Sequence, residues 1–261
     1  NKLTYPCPKN IILLLRKEGG YLELLKEDGE FIDLKIQRIR NSLIPILKEI
    51  KMRIDSNSII GIVGAGIMGR GIAQVAARAG HQVILYDNWD GAVDNAMKIN
   101  EKELSKLVEK GKLSQEEKDK TIALMKPTMQ IKDLAPCDLI IEAIIENKEI
   151  KQNFFKQLED ICEDVVIASN TSSISISALA NGLKKPQNMI GMHFFNPAPI
   201  MKLVEVISGL QSDAQIVEDV HALATAWGKK AVYVKSSPGF IVNRIARPFY
   251  AEALRVYEEG V

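Results

Sequence analysis

Apolar residues fall into two kinds of spacing along this chain, and the two alternate. Short continuous runs have the length of strands buried on both faces. They are Ile59-Ile-Gly-Ile-Val63, Gln82-Val-Ile-Leu-Tyr86, Asp138-Leu-Ile-Ile-Glu-Ala143, Val165-Val-Ile-Ala168 and Met189-Ile-Gly-Met192. Between them apolar positions recur at helical spacing. A helix is expected from about Ile67 to Ala79, and a pair of charged, amphipathic helices from Ala92 to Met125, joined near Gly111. A strand over 200–207 and one long helix from Gly239 to Val261 complete the series. From Ile59 to about Val234 this rhythm predicts an α/β fold with a mostly parallel sheet covered on both faces.

The ends differ from this middle. Tyr21 to Leu34 reads as a hairpin turning at Asp28-Gly29. Ile36, Ile39, Leu43, Leu47 and Ile50 then fall at helical spacing, interrupted by Pro45, before an Asp55-Ser-Asn-Ser58 linker. The expected organisation is a short α+β extension over 1–55, a nucleotide-binding domain over 56–235 and a terminal helical segment over 236–261. That last helix would expose Phe240, Ile241, Ile245, Phe249 and Leu254. Such a patch marks an interface, with a second chain or with the apolar helix at 36–54.

Composition narrows the function classes. Hydrophobic residues make up 46% and charged residues 26%, as in ordinary globular proteins. Lys+Arg 34 against Asp+Glu 33 leaves a net charge of +1, so no global field attracts nucleic acid or anionic lipid. No apolar run approaches the ~20 residues of a membrane span. Cys7, Cys137 and Cys162 form no CxxC pair, which argues against a disulfide framework or a zinc site. Their usage suits a reducing, cytoplasmic setting; no metal is expected, and no signal peptide is visible.

The glycine spacing of Gly64-Ala-Gly66-Ile67-Met68-Gly69 is that of a dinucleotide-binding loop. The first glycine permits the tight turn, the second lets backbone approach a pyrophosphate, and the third lets helix pack on sheet. The loop follows a strand, opens a helix, and precedes Asp87 by about 20 residues, the distance of a ribose-binding acid. Asp87 would accept from a 2′-hydroxyl and repel a 2′-phosphate, which favours NAD over NADP. The sheet is therefore expected to be a Rossmann-type, doubly wound one.

His193 is the candidate general base. An imidazole ordinarily titrates near neutrality, which suits removal of a hydroxyl proton as hydride leaves the same carbon. Glu205 would orient it if the strand over 200–207 runs back beside the histidine. Phe194, Phe195, Asn196 and Pro197 would build a dry, rigid wall around it. The Ser169-Asn-Thr-Ser172-Ser173 segment follows a strand, where open α/β sheets bind ligands, and serves equally as a helix cap. Asn243 opens the last helix as a further candidate or an exposed polar residue. His81 and His221 read as structural.

Taken together, these segments resemble the L-3-hydroxyacyl-CoA dehydrogenase family. The matching pieces are Gly64-Ala-Gly-Ile-Met-Gly69-Arg-Gly-Ile-Ala-Gln, Glu142-Ala-Ile-Ile-Glu146-Asn, Ser169-Asn-Thr-Ser-Ser-Ile, Gly191-Met-His-Phe-Phe-Asn-Pro-Ala-Pro, Lys202-Leu-Val-Glu-Val and Pro238-Gly-Phe-Ile-Val-Asn243-Arg. The resemblance covers residues 58–261. It implies a catalytic His193–Glu205 pair, with Ser172 and Asn243 holding the substrate oxygen and the base. It implies NAD contacts at Glu146, Lys151 and Asn196, an acyl-CoA thioester substrate, and a homodimer. The wording from Asn243 onward is similar to members that act on 3-hydroxyadipyl-CoA in phenylacetate breakdown; fatty-acid degradation is the other family setting. The family continues past the equivalent of Val261 into a helical domain, of which 236–261 would be the start. Residues 1–55 match nothing in the family pattern and belong to an upstream domain of a longer chain or to an unusual extension. Two other functions stay open: an NAD-binding module inactive without the helical domain, and a dehydrogenase of a non-CoA hydroxy acid.

Overall fold

The computed structural model describes residues 53–261. The hairpin over 21–34 and the helical spacing up to residue 52 lie outside the described residues.

The order of elements follows the alternation of the sequence. Strand β1 (Ile60–Val63) leads into α1 (Ile67–Arg78) and β2 (Val83–Tyr86). Helices α2 (Ala92–Glu109) and α3 (Gln115–Ala123) precede β3 (Met125–Thr128). Then come β4 (Leu139–Glu142), α4 (Lys148–Ile161), β5 (Val166–Ser169) and the short α5 (Ile176–Ala180). Strands β6 (Met189–Phe194) and β7 (Leu203–Ser208), helix α6 (Ala214–Ala226), β8 (Lys230–Lys235) and α7 (Val242–Glu258) finish the chain. Gly111, at φ 64°, ends α2, and Ser114 starts α3 with a reciprocal capping box to Glu117.

The eight strands lie in the order β3-β2-β1-β4-β5-β6-β7-β8. All neighbours are parallel except β6 and β7. The chain leaves β1 toward β2 on one side and toward β4 on the other. The crevice at the carboxyl ends of β1 and β4 is therefore the switch point of a Rossmann-type sheet. Helices cover both faces, so the central strands are apolar on both. Ile60, Ile62, Leu139 and Ile141 enter one core cluster, while Val63 and Ile140 enter the other.

Two strands were not among the apolar runs singled out in the sequence. Strand β3 reads Met-Lys-Pro-Thr, buried only at its ends, and the sequence pattern had assigned Met125 to a helix. Strand β8 has only Val234 fully buried. Both lie at sheet edges, where one face and one set of backbone groups meet water.

The terminal helix differs from expectation at its start. Residues 238–241 form a turn, and α7 begins at Val242. Phe240 is not part of an exposed face: it has φ 51° and is only 2% exposed. A non-glycine residue in that region costs about 1–3 kcal/mol and persists only where its surroundings hold it. Ile241, Ile245, Phe249 and Leu254 are exposed as the spacing implied, and α7 itself contains no buried residue.

Candidate active site

The glycine loop fits a dinucleotide at each of its three positions. Gly64 has φ 98°, and a Cβ there would sit 2.7 Å from the Ala143 carbonyl. A Cβ on Gly69 would fall 1.7 Å from the Gly64 carbonyl, so α1 packs on the loop only because that atom is missing. A Cβ on Gly66 would meet no protein atom within 4 Å; it would fill the open cradle instead. Gly66 begins α1 without a side-chain cap, so the first-turn N–H groups of Ile67 and Met68 are left for an anion. Asp87 accepts the Ala65 N–H at 2.7 Å through Oδ2 and the Trp89 N–H at 2.9 Å through Oδ1. It stands with Gly64 and Gly66 on a cleft of about 760 Å³.

The pair His193 and Glu205 comes together across the one antiparallel junction of the sheet. The two residues are direct partners in the β6–β7 register. Glu205 Oε2 accepts from His193 Nδ1 at 2.7 Å, and both side chains are buried. The second oxygen, Oε1, accepts the backbone N–H groups of Ile241 at 2.9 Å and Val242 at 3.0 Å. A fully buried carboxylate is thus satisfied by an imidazole and the first turn of α7. With Nδ1–H donating its hydrogen bond to the Glu205 carboxylate, Nε2 carries the lone pair and is free to take a proton. Phe195 and Phe240 flank the imidazole, with ring centroids 4.5 and 5.8 Å away.

Beside the pair lies a polar network centred on Glu146. Its Oε1 accepts from Thr171 Oγ1 at 2.6 Å, and from the N–H groups of Ser172 and Ser173 at 2.9 and 3.2 Å. Ser172 Oγ is 3.3 Å from the same oxygen. Burial pushes the Glu146 carboxyl up. The Thr171 hydroxyl, the Lys151 charge and the serine donors outweigh it and hold the group below the ordinary glutamate range. Asn243, second residue of α7, donates from Nδ2 to the Ser172 carbonyl at 3.1 Å. The fold thus brings Ser172 together with both Asn243 and Glu146. Ser175, not Ser172, caps α5.

Lys151, expected at the cofactor, is 1% exposed and paired with Glu142 and, at 3.4 Å, with Glu146 Oε2. Its ammonium is turned toward protein carboxylates. Glu142, at the end of β4, is raised by burial and drawn back by Lys151, Ser169 and the Ile144 N–H. His81 and His221 sit in structural places. His81 Nδ1 is 2.9 Å from the Ser58 carbonyl, and His221 stacks on Tyr233.

The residue profile of the 3-hydroxyacyl-CoA dehydrogenase NAD binding domain matches residues 59–237. The chain belongs to the 3-hydroxyacyl-CoA dehydrogenase family. It is 47% identical over 203 residues to the 3-hydroxyadipyl-CoA dehydrogenase of Escherichia coli, covering 77% of this chain and 43% of the relative. The crystal structure of 3-hydroxybutyryl-CoA dehydrogenase from Escherichia coli K12 superposes with a TM-score of 0.77 at 47% identity, over 78% of this chain and 44% of that one. The chain thus spans less than half the length of these relatives. The fatty acid oxidation complex subunit alpha of Pseudomonas entomophila is 34% identical over 272 residues, taking in 99% of this chain and 38% of its own length. That match takes in residues 1–55 as well, for which the sequence reading placed no counterpart in the family pattern. Their signal was missed because it is a stretch of ordinary Lys, Ile and Leu spacing without a chemical motif.

In a family that binds NAD through this domain, the glycine cradle and Asp87 are the matching donor set. One feature carried no sequence motif at all: a groove of about 360 Å³ beside the loop. Arg70, Lys106, Lys110 and Asn196 line it, together with Ile67, Ile200 and Glu103, which is paired with Arg70 at 2.9 Å. The basic residues come from two helices, and only the fold gathers them. Lys229 is a second omission. Its buried ammonium donates to the carbonyls of Ala198 at 2.6 Å and Met201 at 2.9 Å, fastening the loop that carries Asn196. Among the described residues, no helix is long and apolar enough to cross a membrane.

Proposed function

We propose that this chain carries the site that interconverts an L-3-hydroxyacyl-CoA and the 3-oxoacyl-CoA, with NAD as its partner. The observation that carries this reading is the buried His193–Glu205 pair on the same sheet whose first strand leads into the glycine cradle. NAD⁺ bound in the cradle supplies the hydride acceptor. His193 Nε2 takes the proton of the 3-hydroxyl group. Glu205, fixed by the Ile241 and Val242 N–H groups, stabilises the resulting imidazolium. Ser172 and Asn243 hold the reacting oxygen; in reverse they polarise the carbonyl. Gly64, Gly66, Ile67, Met68 and Gly69 cradle the pyrophosphate, Asp87 takes the ribose, and Glu146 and Asn196 complete the cofactor side, with Lys151 buried behind Glu146 as its counter-charge. Lys106 and Lys110, beside an Arg70 already paired with Glu103, suit the phosphates of a CoA thioester, with Ile67 and Ile200 as apolar lips for its arm. The relatives' names point to short or dicarboxylic acyl chains, hence 3-hydroxybutyryl-CoA or 3-hydroxyadipyl-CoA.

The domain reading follows: 56–235 is the NAD-binding domain and 236–261 begins a helical one. Residues 1–55 are the segment that precedes the domain in alpha-subunit relatives. The exposed apolar face of α7 supports a homodimer or a following domain over it. The same face favours one second reading, an NAD-binding module that turns over nothing alone. Loss of NADH absorbance with acetoacetyl-CoA decides between them. Turnover supports the enzyme reading; NADH binding without acetoacetyl-CoA binding or turnover supports the module.

Asp87→Ala should weaken NADH binding while NADPH binding changes little, so the preference between them narrows. Comparative titration of the two nucleotides checks this, and an unchanged ratio would move the ribose contact elsewhere.

A further inference from the structure

One wall of the basic groove has no regular secondary structure. Residues 195–202 link β6 to β7, and 196–200 line the groove together with Lys106 and Lys110 from the end of α2. Of residues 195–202 only Ala198 is buried. Ala198 and Pro199 press on α1 at Gly71, where a Cβ would stand 3.3 Å from the Ala198 Cβ and 3.2 Å from the Pro199 Cδ. Pro199 also borders a second hollow of about 340 Å³, which Arg78, Trp227 and Lys229 help to line. The loop is thus a partition between two hollows, and packing alone gives it little to rest on.

Lys229 supplies the support. It stands in the turn between α6 and β8, just after Gly228 at φ 75°, and is 8% exposed. Its ammonium donates to the Ala198 carbonyl at 2.6 Å and to the Met201 carbonyl at 2.9 Å. Within the loop, the Pro197 carbonyl accepts the Ile200 and Met201 N–H groups at 3.0 and 2.9 Å. Main-chain bonds therefore close the turn on itself, and Lys229 fastens it to the body of the domain. Lysine is rarely buried unless paired, because taking its charge out of water costs free energy. Here the partners are two carbonyls of one loop rather than a carboxylate.

Resting on the thioester reading of the groove, we propose that Lys229 is a positioning residue that holds the 198–201 turn against α1 and so sets the width of the groove for the arm of a CoA thioester. The two carbonyls it grips bracket Pro199 and Ile200, which line that groove. The reacting pair does not depend on this grip, since His193 and Glu205 are registered by the β6–β7 ladder. Neither does the dinucleotide cradle, which lies on β1, α1 and β2. Loosening the turn should therefore cost thioester affinity and spare cofactor binding.

Coenzyme A, titrated calorimetrically into the full chain, reads the groove without requiring turnover. Lys229→Met keeps the aliphatic stem and removes the donors. It should raise the coenzyme A dissociation constant about tenfold or more, as for one lost hydrogen bond from a charged group. NADH binding, followed through nicotinamide emission, should stay at the wild-type level. Lys229→Arg, which retains several N–H donors, should recover most of the coenzyme A affinity. Lys229→Gln can serve only one carbonyl and should fall between the two; it carries the test if the methionine variant does not fold. Wild-type coenzyme A affinity in a folded Lys229→Met or Lys229→Gln chain overturns the proposal and leaves the thioester reading standing. Equal weakening of coenzyme A and NADH, with a lowered thermal midpoint and no rescue by arginine, overturns it too, since Lys229 would then serve folding alone. A wild-type chain that binds NADH but not coenzyme A would remove the thioester reading of the groove first, and the proposal with it.

Discussion

Replacing His193 by alanine is expected to lower turnover of acetoacetyl-CoA by about 10²–10⁴-fold, the range for removing a positioned acid–base group. NADH binding should persist, because the glycine cradle and Asp87 lie on β1, α1 and β2, away from the imidazole. The physical basis is the proton inventory. Nδ1 is committed to Glu205, so Nε2 is the one basic atom of the ring left to accept the hydroxyl proton. His193→Gln is the companion variant. Its amide fills similar space and can still donate to Glu205, yet it has no basic nitrogen, so it should be as inactive as the alanine form. Steady-state rates with both variants, beside NADH titrations, check this. Either variant retaining near-wild-type turnover would take His193 out of the chemistry.

Glu205→Gln is expected to produce a loss of similar size, about 10²–10⁴-fold, by a different route. Removing the carboxylate altogether, as in Glu205→Ala, would leave buried partners uncompensated at a cost of about 3–5 kcal/mol, and misfolding would obscure the result. Glutamine keeps the shape. Its carbonyl oxygen can still receive the Ile241 and Val242 N–H groups, which leaves its NH₂ facing Nδ1 of His193. Two donors then oppose each other unless the imidazole moves its proton to Nε2. In that tautomer the basic nitrogen points at the glutamine and the protonated one at the substrate, so no hydroxyl proton can be taken. The signature is a low rate with a thermal midpoint close to wild type. A matching loss of rate and stability together would mean that the carboxylate serves folding alone.

How much of this was legible in the sequence depended on the kind of contact. Gly64, Gly66 and Gly69 were readable because a glycine spacing before a helix has few other uses. The meeting of His193 with Glu205 was readable as a possibility, since two residues on facing strands of one turn-back need only the right register. The grip of α7 on Glu205 left no trace, because main-chain N–H groups belong to every residue and carry no side-chain signature. Phe240 was misread for a related reason. At helical spacing it looks like one more outward apolar residue, and only its left-handed backbone turns it inward against the imidazole. Strands β3 and β8 were missed or blurred because edge strands bury one face and keep polar residues on the other. The basic groove around Arg70, Lys106 and Lys110 was hidden by distance along the chain, and the buried state of Lys151 by its charge.

The double hydrogen bond from the start of α7 to Glu205 has a consequence for how this segment can vary. A side chain at 241 or 242 can change size or polarity without touching the donors that hold the carboxylate. Proline alone deletes a donor, and an inserted or missing residue between Ser236 and Val242 shifts both out of reach. Positions 241 and 242 should therefore drift freely in composition while the length of the segment stays fixed, a constraint on spacing rather than on chemistry.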